Sequence, residues 1–293
     1  MKPTNAQRVF QVCNTVFLLL LSVVMLYPMW HVVMASLSDS GELMAHRGVL
    51  LAPLHANVNA YRLMSQNPMI LRGFLNSVLI VVSGTVINII LTSLGAYVLS
   101  KRKLYWRRAM SLMVLFTMFF SGGMIPLYLV VSKVLMLGDS FLAVILPTAV
   151  NTYNLIIMRT AFEGLPESLE ESAQIEGAGH WTILFRIVLP LSMSTVAVMV
   201  LYYATGHWNG WFNASIFIKT RVKYPLQLIL REILINNDTA NMSMGGGGAD
   251  DMMGISETIK YAVIVASTLP VLCIYPFLQK YFVKGVLIGA VKG

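Results

Sequence analysis

Six long stretches without any aspartate, glutamate, lysine or arginine most narrowly limit what this chain can fold into. Each has at least 19 residues, close to the roughly 20 apolar residues that an α-helix needs to cross a bilayer core. Helices are favoured because every backbone polar group must be hydrogen-bonded within the protein where no water is present. The chain is also only 12% charged, about half the fraction in a soluble domain. We therefore predict an all-α integral membrane protein with six transmembrane helices near residues 14–36, 74–98, 109–131, 140–160, 186–208 and 260–280.

The distribution of lysine and arginine predicts how these spans are oriented. The 101–108 loop carries five basic residues, and short basic loops are typical of the cytoplasmic side. Six spans then place both termini and the acidic loop over 163–190 in the cytoplasm, with the loops over 39–72 and 209–258 outside. The Gly-rich stretch at 241–251 predicts a flexible linker in the second outer loop. The net charge of +8 is explained mostly by this topology, so nucleic-acid binding is not expected.

The motifs of common enzymes are absent from the sequence. It contains no G-x-x-x-x-G-K-[ST], G-x-S-x-G or H-E-x-x-H. The five histidines are scattered without the spacing of metal ligands, and the two cysteines lie far apart. We therefore expect no catalytic residue, bound metal or cofactor in this chain. A channel, a carrier or the membrane subunit of a larger machine remains.

The acidic loop predicts a helix, a sharp stop and a second helix. A short helix over 166–176 begins at Pro166, whose fixed φ suits a first turn. Three glutamates in or just after that turn favour the helix dipole, and Gly177 is a typical stop signal. The second helix begins near His180 and runs into the fifth span, where Pro190 should kink it or mark its start. In isolation the segment would also fit a plain solvated loop.

The pattern of this loop resembles the EAA loop of importer-type ABC transporter permeases. The matching residues are Glu171, Ser172, Ala173, Glu176, Gly177 and Ala178, followed by Ile187, Leu189 and Pro190. Ser172 and Glu176 replace the usual alanine and aspartate, and Ser194 stands where a proline often follows. Six spans with this loop between the fourth and fifth are similar to sugar permeases related to the maltose system. The resemblance implies the type I importer permease fold as a single domain over 1–293.

Three further segments resemble the same family. The stretches FSGGMIPLYLVV at 120–131 and WNGWFNASIFI at 208–218 are similar to the subgroup that handles complex oligosaccharides. The basic outer residues could face an acidic, alginate-like substrate or an acidic surface of a binding protein, and ordinary solvation is an alternative; they are Lys219, Arg221, Lys223 and Arg231. The tail over 281–293 is similar to the family's C-terminus, which reaches the interface between the ATPase subunits. That resemblance assigns to this interface Lys284, Gly285, Gly289, Lys292 and Gly293.

The family implies a set of partners in the bacterial cytoplasmic (inner) membrane. A solute-binding protein delivers the sugar, a second permease completes the pathway as a heterodimer, and two ATPase subunits bind ATP and Mg. The helix over 166–176 would be the coupling helix, with Glu171 paired to a basic residue of one ATPase subunit. The coupling residues implied by the motif are Glu171, Ser172, Ala173, Glu176, Gly177, Ala178 and Pro190.

Polar and aromatic residues within the spans are candidates for the translocation pathway, since intramembrane polar residues are often functional. The candidates are Asn88, Asn151, Asn154, Tyr202, Tyr203, His207 and Trp208. Polar faces also hold helices together, and an aromatic belt at the membrane surface would explain Trp208. Both interpretations stay open from the sequence.

Two other functions fit parts of the pattern. An ABC permease for amino acids, peptides or ions would carry the same EAA loop. An ion-coupled secondary carrier would need an ion or proton site, yet no aspartate or glutamate falls inside a predicted span.

Overall fold

The computed structural model describes residues 5–236, 258–274 and 276, and within these ranges the regular structure is entirely helical. The helices are α1 (Asn5–Ser36), α2 (Ser40–Ala45), α3 (Asn59–Gln66), α4 (Pro68–Ser100), α5 (Arg107–Phe119), α6 (Met124–Leu129), α7 (Phe141–Ile145), α8 (Thr152–Glu163), α9 (Glu167–Ile175), α10 (His180–Ile183), α11 (Leu189–Leu191), α12 (Met193–Trp208), α13 (Phe212–Phe217), α14 (Leu226–Asn236) and α15 (Thr258–Ile274). Wider π-helical turns over Val130–Val134 and Leu184–Val188 continue α6 and α10, and 3₁₀ turns cover Leu146–Thr148 and Arg221–Lys223.

Two helices in the described part of the chain, Gln7–Ser36 and Pro68–Ser100, are each long and apolar enough to cross a membrane. The predicted third, fourth and fifth spans each correspond to a pair of helices separated by a bend, of 111°, 54° and 87° respectively. If each bent pair is counted as one span, the described part of the chain has up to five spans. The α15 helix, in the region of the predicted sixth span, is apolar but shorter. Counting charge-free residues misses these bends because the breaks contain no charged residue.

One compact unit contains residues 1–70 and 230–269. Its core consists of Met34, Ala35 and Leu50, against which Leu54 and Tyr261 pack. The segment after α2 is hydrogen-bonded to α1, since the Tyr27 hydroxyl accepts from the Leu50 amide at 3.1 Å. The first part of the predicted outer loop over 39–72 is therefore folded.

The second unit contains residues 71–229 and 270–293 and carries most of the candidate residues. Its core joins α4, α8, α9, α12 and the helix that begins with α10, through Tyr97, Met158, Ala173, Leu184 and Met199. The α9 helix of the acidic loop thus contributes a buried side chain to the same core as the long apolar helices.

Asp139 fixes the turn before α7 to the segment after α13. Its carboxylate accepts hydrogen bonds from the amides of Lys219 and Thr220, both at 2.9 Å, and from Lys223 Nζ at 2.8 Å. These donors hold the pKa of Asp139 far below its usual range, the Lys223 ammonium most strongly. Lys223, one of the basic residues that we considered for an acidic saccharide, is thus engaged within the chain.

The predicted ATPase-interface tail, with Lys284, Gly285, Gly289, Lys292 and Gly293, lies outside the described residues. The Gly-rich stretch at 241–251 lies outside them as well.

Candidate functional site

The acidic loop ends its first helix in a complete Schellman motif. The α9 helix starts after Pro166, which occupies the N-cap position rather than the predicted first turn. At its end, Gly177 has a φ of 84° and its amide donates to the Gln174 carbonyl at 3.0 Å. The Ala178 amide donates to the Ala173 carbonyl at 2.9 Å, so two carbonyls of the last turn are satisfied and the chain reverses sharply. Glycine is needed here because other L-residues rarely adopt this conformation.

The α9 helix presents most of its surface to solvent. Ala173 is buried with Leu165 and Ala178 packed against the same core, whereas Glu171, Ser172 and Glu176 are exposed. Ile175 is 88% exposed and Leu169 is also exposed. Single exposed apolar side chains are common on protein surfaces, so local sequence patterns do not distinguish these two residues from ordinary surface positions.

Two of the five glutamates in the acidic loop serve its internal structure. Glu170 forms an ion pair with Lys101, and Glu163 forms ion pairs with Arg107 and with Arg159, the latter at 2.8 Å. The basic 101–108 loop and the acidic loop are therefore in direct contact. The paired residues are 69 and 56 positions apart in the chain, so local sequence patterns do not predict this pairing.

Glu171 remains accessible to a partner. Its nearest cation is Lys103, whose Nζ lies 3.9 Å from the Glu171 carboxylate, and the two side chains are 86% and 57% exposed for Lys103 and Glu171. Such an exposed pair contributes little to stability. A basic group of another protein can thus replace Lys103 at small cost.

A cavity of about 340 Å³ lies at the break between α7 and α8, beside the end of α12. Five of the seven pathway candidates line it, namely Asn151, Asn154, Tyr202, Tyr203 and His207. The remaining lining residues are Val144, Thr148, Gly206, Asn209, Gly210, Trp211, Phe212 and Asn213. Among the described residues, no aspartate, glutamate, lysine or arginine lines this cavity, whose wall combines amides and aromatic rings.

Asn88 stabilises the break from behind the cavity wall. It is fully buried, and its side-chain nitrogen donates to the carbonyls of Thr148 at 2.6 Å and Ala149 at 2.9 Å. Its oxygen then accepts from His207 Nε2 at 2.7 Å, which assigns the proton to that ring nitrogen. In neutral His207 the other nitrogen, Nδ1, is a hydrogen-bond acceptor.

Tyr203 stabilises the other side of the break. Its hydroxyl accepts from the Asn151 amide at 3.1 Å and is hydrogen-bonded to Thr92 Oγ1 at 2.7 Å. The Asn151 side chain caps α8 by accepting from the Asn154 amide at 3.2 Å. Trp208 is buried edge-on against Phe74, with ring centroids 5.8 Å apart, and is not part of the cavity wall.

Curated relatives cover nearly the whole chain. The polygalacturonan/rhamnogalacturonan transport system permease protein YtcP of Bacillus subtilis (strain 168) is 43% identical over 98% of this chain and 99% of its own length. Protein LplC of the same organism is 42% identical over 100% of this chain and 98% of its own length. The similarity therefore extends through both units.

A solved structure has the same fold. It is a chain of a bacterial ABC transporter involved in the import of the acidic polysaccharide alginate, with a TM-score of 0.87 and 30% identity over 96% of this chain and 99% of that chain. A family model also matches residues 89–288, which include the cavity and α9. The chain belongs to the binding-protein-dependent transport system inner membrane component family.

Proposed function

We propose that this chain is the transmembrane subunit of an ATP-driven ABC importer for acidic oligosaccharides. It lies in the bacterial cytoplasmic membrane with six spans and both termini in the cytoplasm. A solute-binding protein delivers the oligosaccharide, and the chain conducts it while ATPase subunits supply the energy.

The geometry of α9 is the observation that carries this proposal. A free helix of nine residues is only marginally stable in water. Here α9 is stabilised by its buried Ala173, by the Schellman motif and by the Glu170 ion pair. A preformed helix loses less conformational freedom when it binds a partner.

The exposed face of α9 defines the chemistry of the ATPase cleft that receives it. Leu169 and Ile175 require an apolar pocket, because burying exposed aliphatic side chains is favourable. Glu171 requires a basic group, and Gly177 allows the chain to turn away from the cleft. We therefore propose Glu171, Ser172 and Glu176 as contacts, with Ala173, Gly177, Ala178 and Pro190 acting through the structure of the loop.

The cavity at the α7–α8 break suits a carbohydrate. Amides of Asn151, Asn154 and Asn209 offer both donors and acceptors, as sugar hydroxyl groups require. Tyr202 and Trp211 offer aromatic faces for sugar rings. Among the described residues, no carboxylate lines the cavity to repel an anionic sugar. YtcP and the alginate importer are both named for polysaccharides that contain uronic acids. An acidic oligosaccharide is therefore the substrate class that we propose.

The proposed complex contains a second permease subunit and two ATPase subunits. ATP and Mg bind to the ATPase subunits, and the tail over 281–293 reaches their interface. The chain itself has no catalytic role in ATP hydrolysis.

Reconstitution of the complete transporter with its binding protein tests this function. Oligogalacturonate or oligoalginate should stimulate ATP hydrolysis and enter the vesicles, whereas neutral oligosaccharides of equal length should do neither. Stimulation by amino acids or peptides alone would favour a permease for another solute. Uptake driven by an ion gradient without ATP would favour a secondary carrier and overturn the proposal.

A further inference from the structure

The acidic loop is linked to two different sets of spans. Through the chain itself, α9 continues into α8 on one side and into the helix beginning with α10 on the other. Through Glu170, it also contacts Lys101, the residue directly after the end of α4. This second link reaches a span from which α9 is distant in sequence.

The environment of Lys101 makes this link stronger than an ordinary surface ion pair. The side chains of Lys101 and Glu170 are only 27% and 19% exposed, and Lys101 Nζ lies 3.9 Å from the centre of the Tyr97 ring. Partial burial strengthens the attraction between charges. Removal of one partner from such a pair leaves the other charge uncompensated. Burial lowers the pKa of Lys101 to about 8, and the nearby Glu167 carboxylate partly offsets this effect.

The α4 helix connects Lys101 with the polar cavity. It is continuous over Pro68–Ser100, and Lys101 follows Thr92 by nine positions, about 14 Å along a helix. Thr92 bonds to Tyr203, and Asn88 bonds to His207, so α4 contacts two residues of the cavity wall. The fifth span is by contrast interrupted by the π-helical turn at Leu184–Val188 and bent by 87°.

We propose that Lys101 is a positioning residue that ties α9 to α4, so that movement of the coupling helix reaches the cavity through α4. This inference rests on the proposed function of α9. The basic 101–108 loop then does more than set the orientation of the spans in the membrane. Lys101 couples the movement of α9 to α4, whereas Lys103 does not.

The test measures transport per ATP hydrolysed by the reconstituted transporter. Lys101→Met should lower this ratio roughly 2- to 30-fold while the complex still assembles and hydrolyses ATP. Lys101→Arg should keep the ratio near that of the wild type. Lys101→Glu and Glu170→Lys should each lower it, and the double variant with exchanged charges should recover part of the loss.

Lys103→Met is the matched control, because it removes an equally basic residue whose pair with Glu171 is exposed. It should leave the ratio unchanged. Equal ratios for Lys101→Met and the wild type, or no recovery in the charge-exchange variant, would overturn the inference. If Gly177→Ala, which alters the end of α9, still uncouples transport in that case, the proposed function stands without the link through α4. If Gly177→Ala also has no effect, the coupling role of α9 itself fails.

Discussion

Replacing Gly177 with alanine should uncouple ATP hydrolysis from transport. Gly177 has a φ of 84°, a conformation that costs other L-residues roughly 1–2 kcal/mol. An added β-carbon would meet no heavy atom within 4 Å, so steric overlap adds nothing to this backbone cost. A cost of that size lowers the ratio of intact to opened helix ends by roughly 5- to 30-fold. If the ATPase subunit binds only the intact loop, coupling should fall, by at most that factor.

Two variants separate backbone strain from a general effect of substitution. Gly179→Ala adds the same methyl group two residues away, at a φ of −75° where alanine is unstrained and where no heavy atom lies nearby. Its effect should be small, although alanine is less favoured than glycine before a helix. Gly177→Asn should fall between the two, because asparagine tolerates the left-handed conformation better than alanine.

Two measurements follow the same variants. Transport per ATP in proteoliposomes reports coupling, and hydrogen exchange reports the amides of Gly177 and Ala178, which are bonded to carbonyls of α9. In Gly177→Ala, these amides should exchange their hydrogen faster than in Gly179→Ala, and less substrate should be transported per ATP hydrolysed. Equal values for the two variants in both measurements would refute the reasoning.

Three other perturbations have expected outcomes. Burial lowers the pKa of Lys101 to about 8, so transport per ATP should fall as the cytoplasmic pH rises through that value. The Lys101→Arg variant stays charged and should show no such fall. Parallel pH profiles for the wild type and this variant would contradict the expectation. In Asp139→Gly, the glycine can adopt the φ of 58° found at this position, so the variant loses only the hydrogen bonds of the carboxylate. The melting temperature should therefore fall. An unchanged melting temperature would contradict the structural role of that carboxylate. Because the pKa of Asp139 is lowered from 3.8, its carboxylate stays ionised in the folded protein in mild acid. The difference in melting temperature between the wild type and Asp139→Gly should therefore be complete above pH 3.8 and vanish only in stronger acid. Asn88→Leu leaves the carbonyls of Thr148 and Ala149 and the His207 ring nitrogen without this partner. The loss should cost about 1–3 kcal/mol for each of these groups that is shielded from water. Denaturation in detergent checks this, and wild-type stability would count against it.

The helical class and the sharp end of α9 follow from local signals in the sequence. Charge-free runs of helical length predict an all-helical membrane fold, and glycine after an acidic helix predicts a stop. These signals depend on residues that are neighbours in the chain. The family and the whole-chain similarity confirm the ABC permease resemblance.

The bends and the paired loops depend on contacts between distant residues. Asn88 satisfies carbonyls about 60 positions away, and a polar face at helical spacing does not reveal which carbonyls it meets. The roles of the glutamates are decided in the same way. Glu170 and Glu171 are adjacent and each lies near a lysine of the 101–108 loop, but the Glu170–Lys101 pair is partly buried and the Glu171–Lys103 pair is exposed. The sequence alone predicts that both are acidic and helical, and tertiary packing decides which is available to a partner.

The continuity of α4 constrains how this protein can vary among relatives. Deleting one residue between Thr92 and Lys101 would turn one end of the helix by about 100° relative to the other and shorten it by about 1.5 Å. Lys101 would then leave Glu170, or Thr92 would leave Tyr203. Relatives that share this arrangement should therefore exchange side chains along this stretch but keep its length, so that the number of residues is inherited more strictly than their identity.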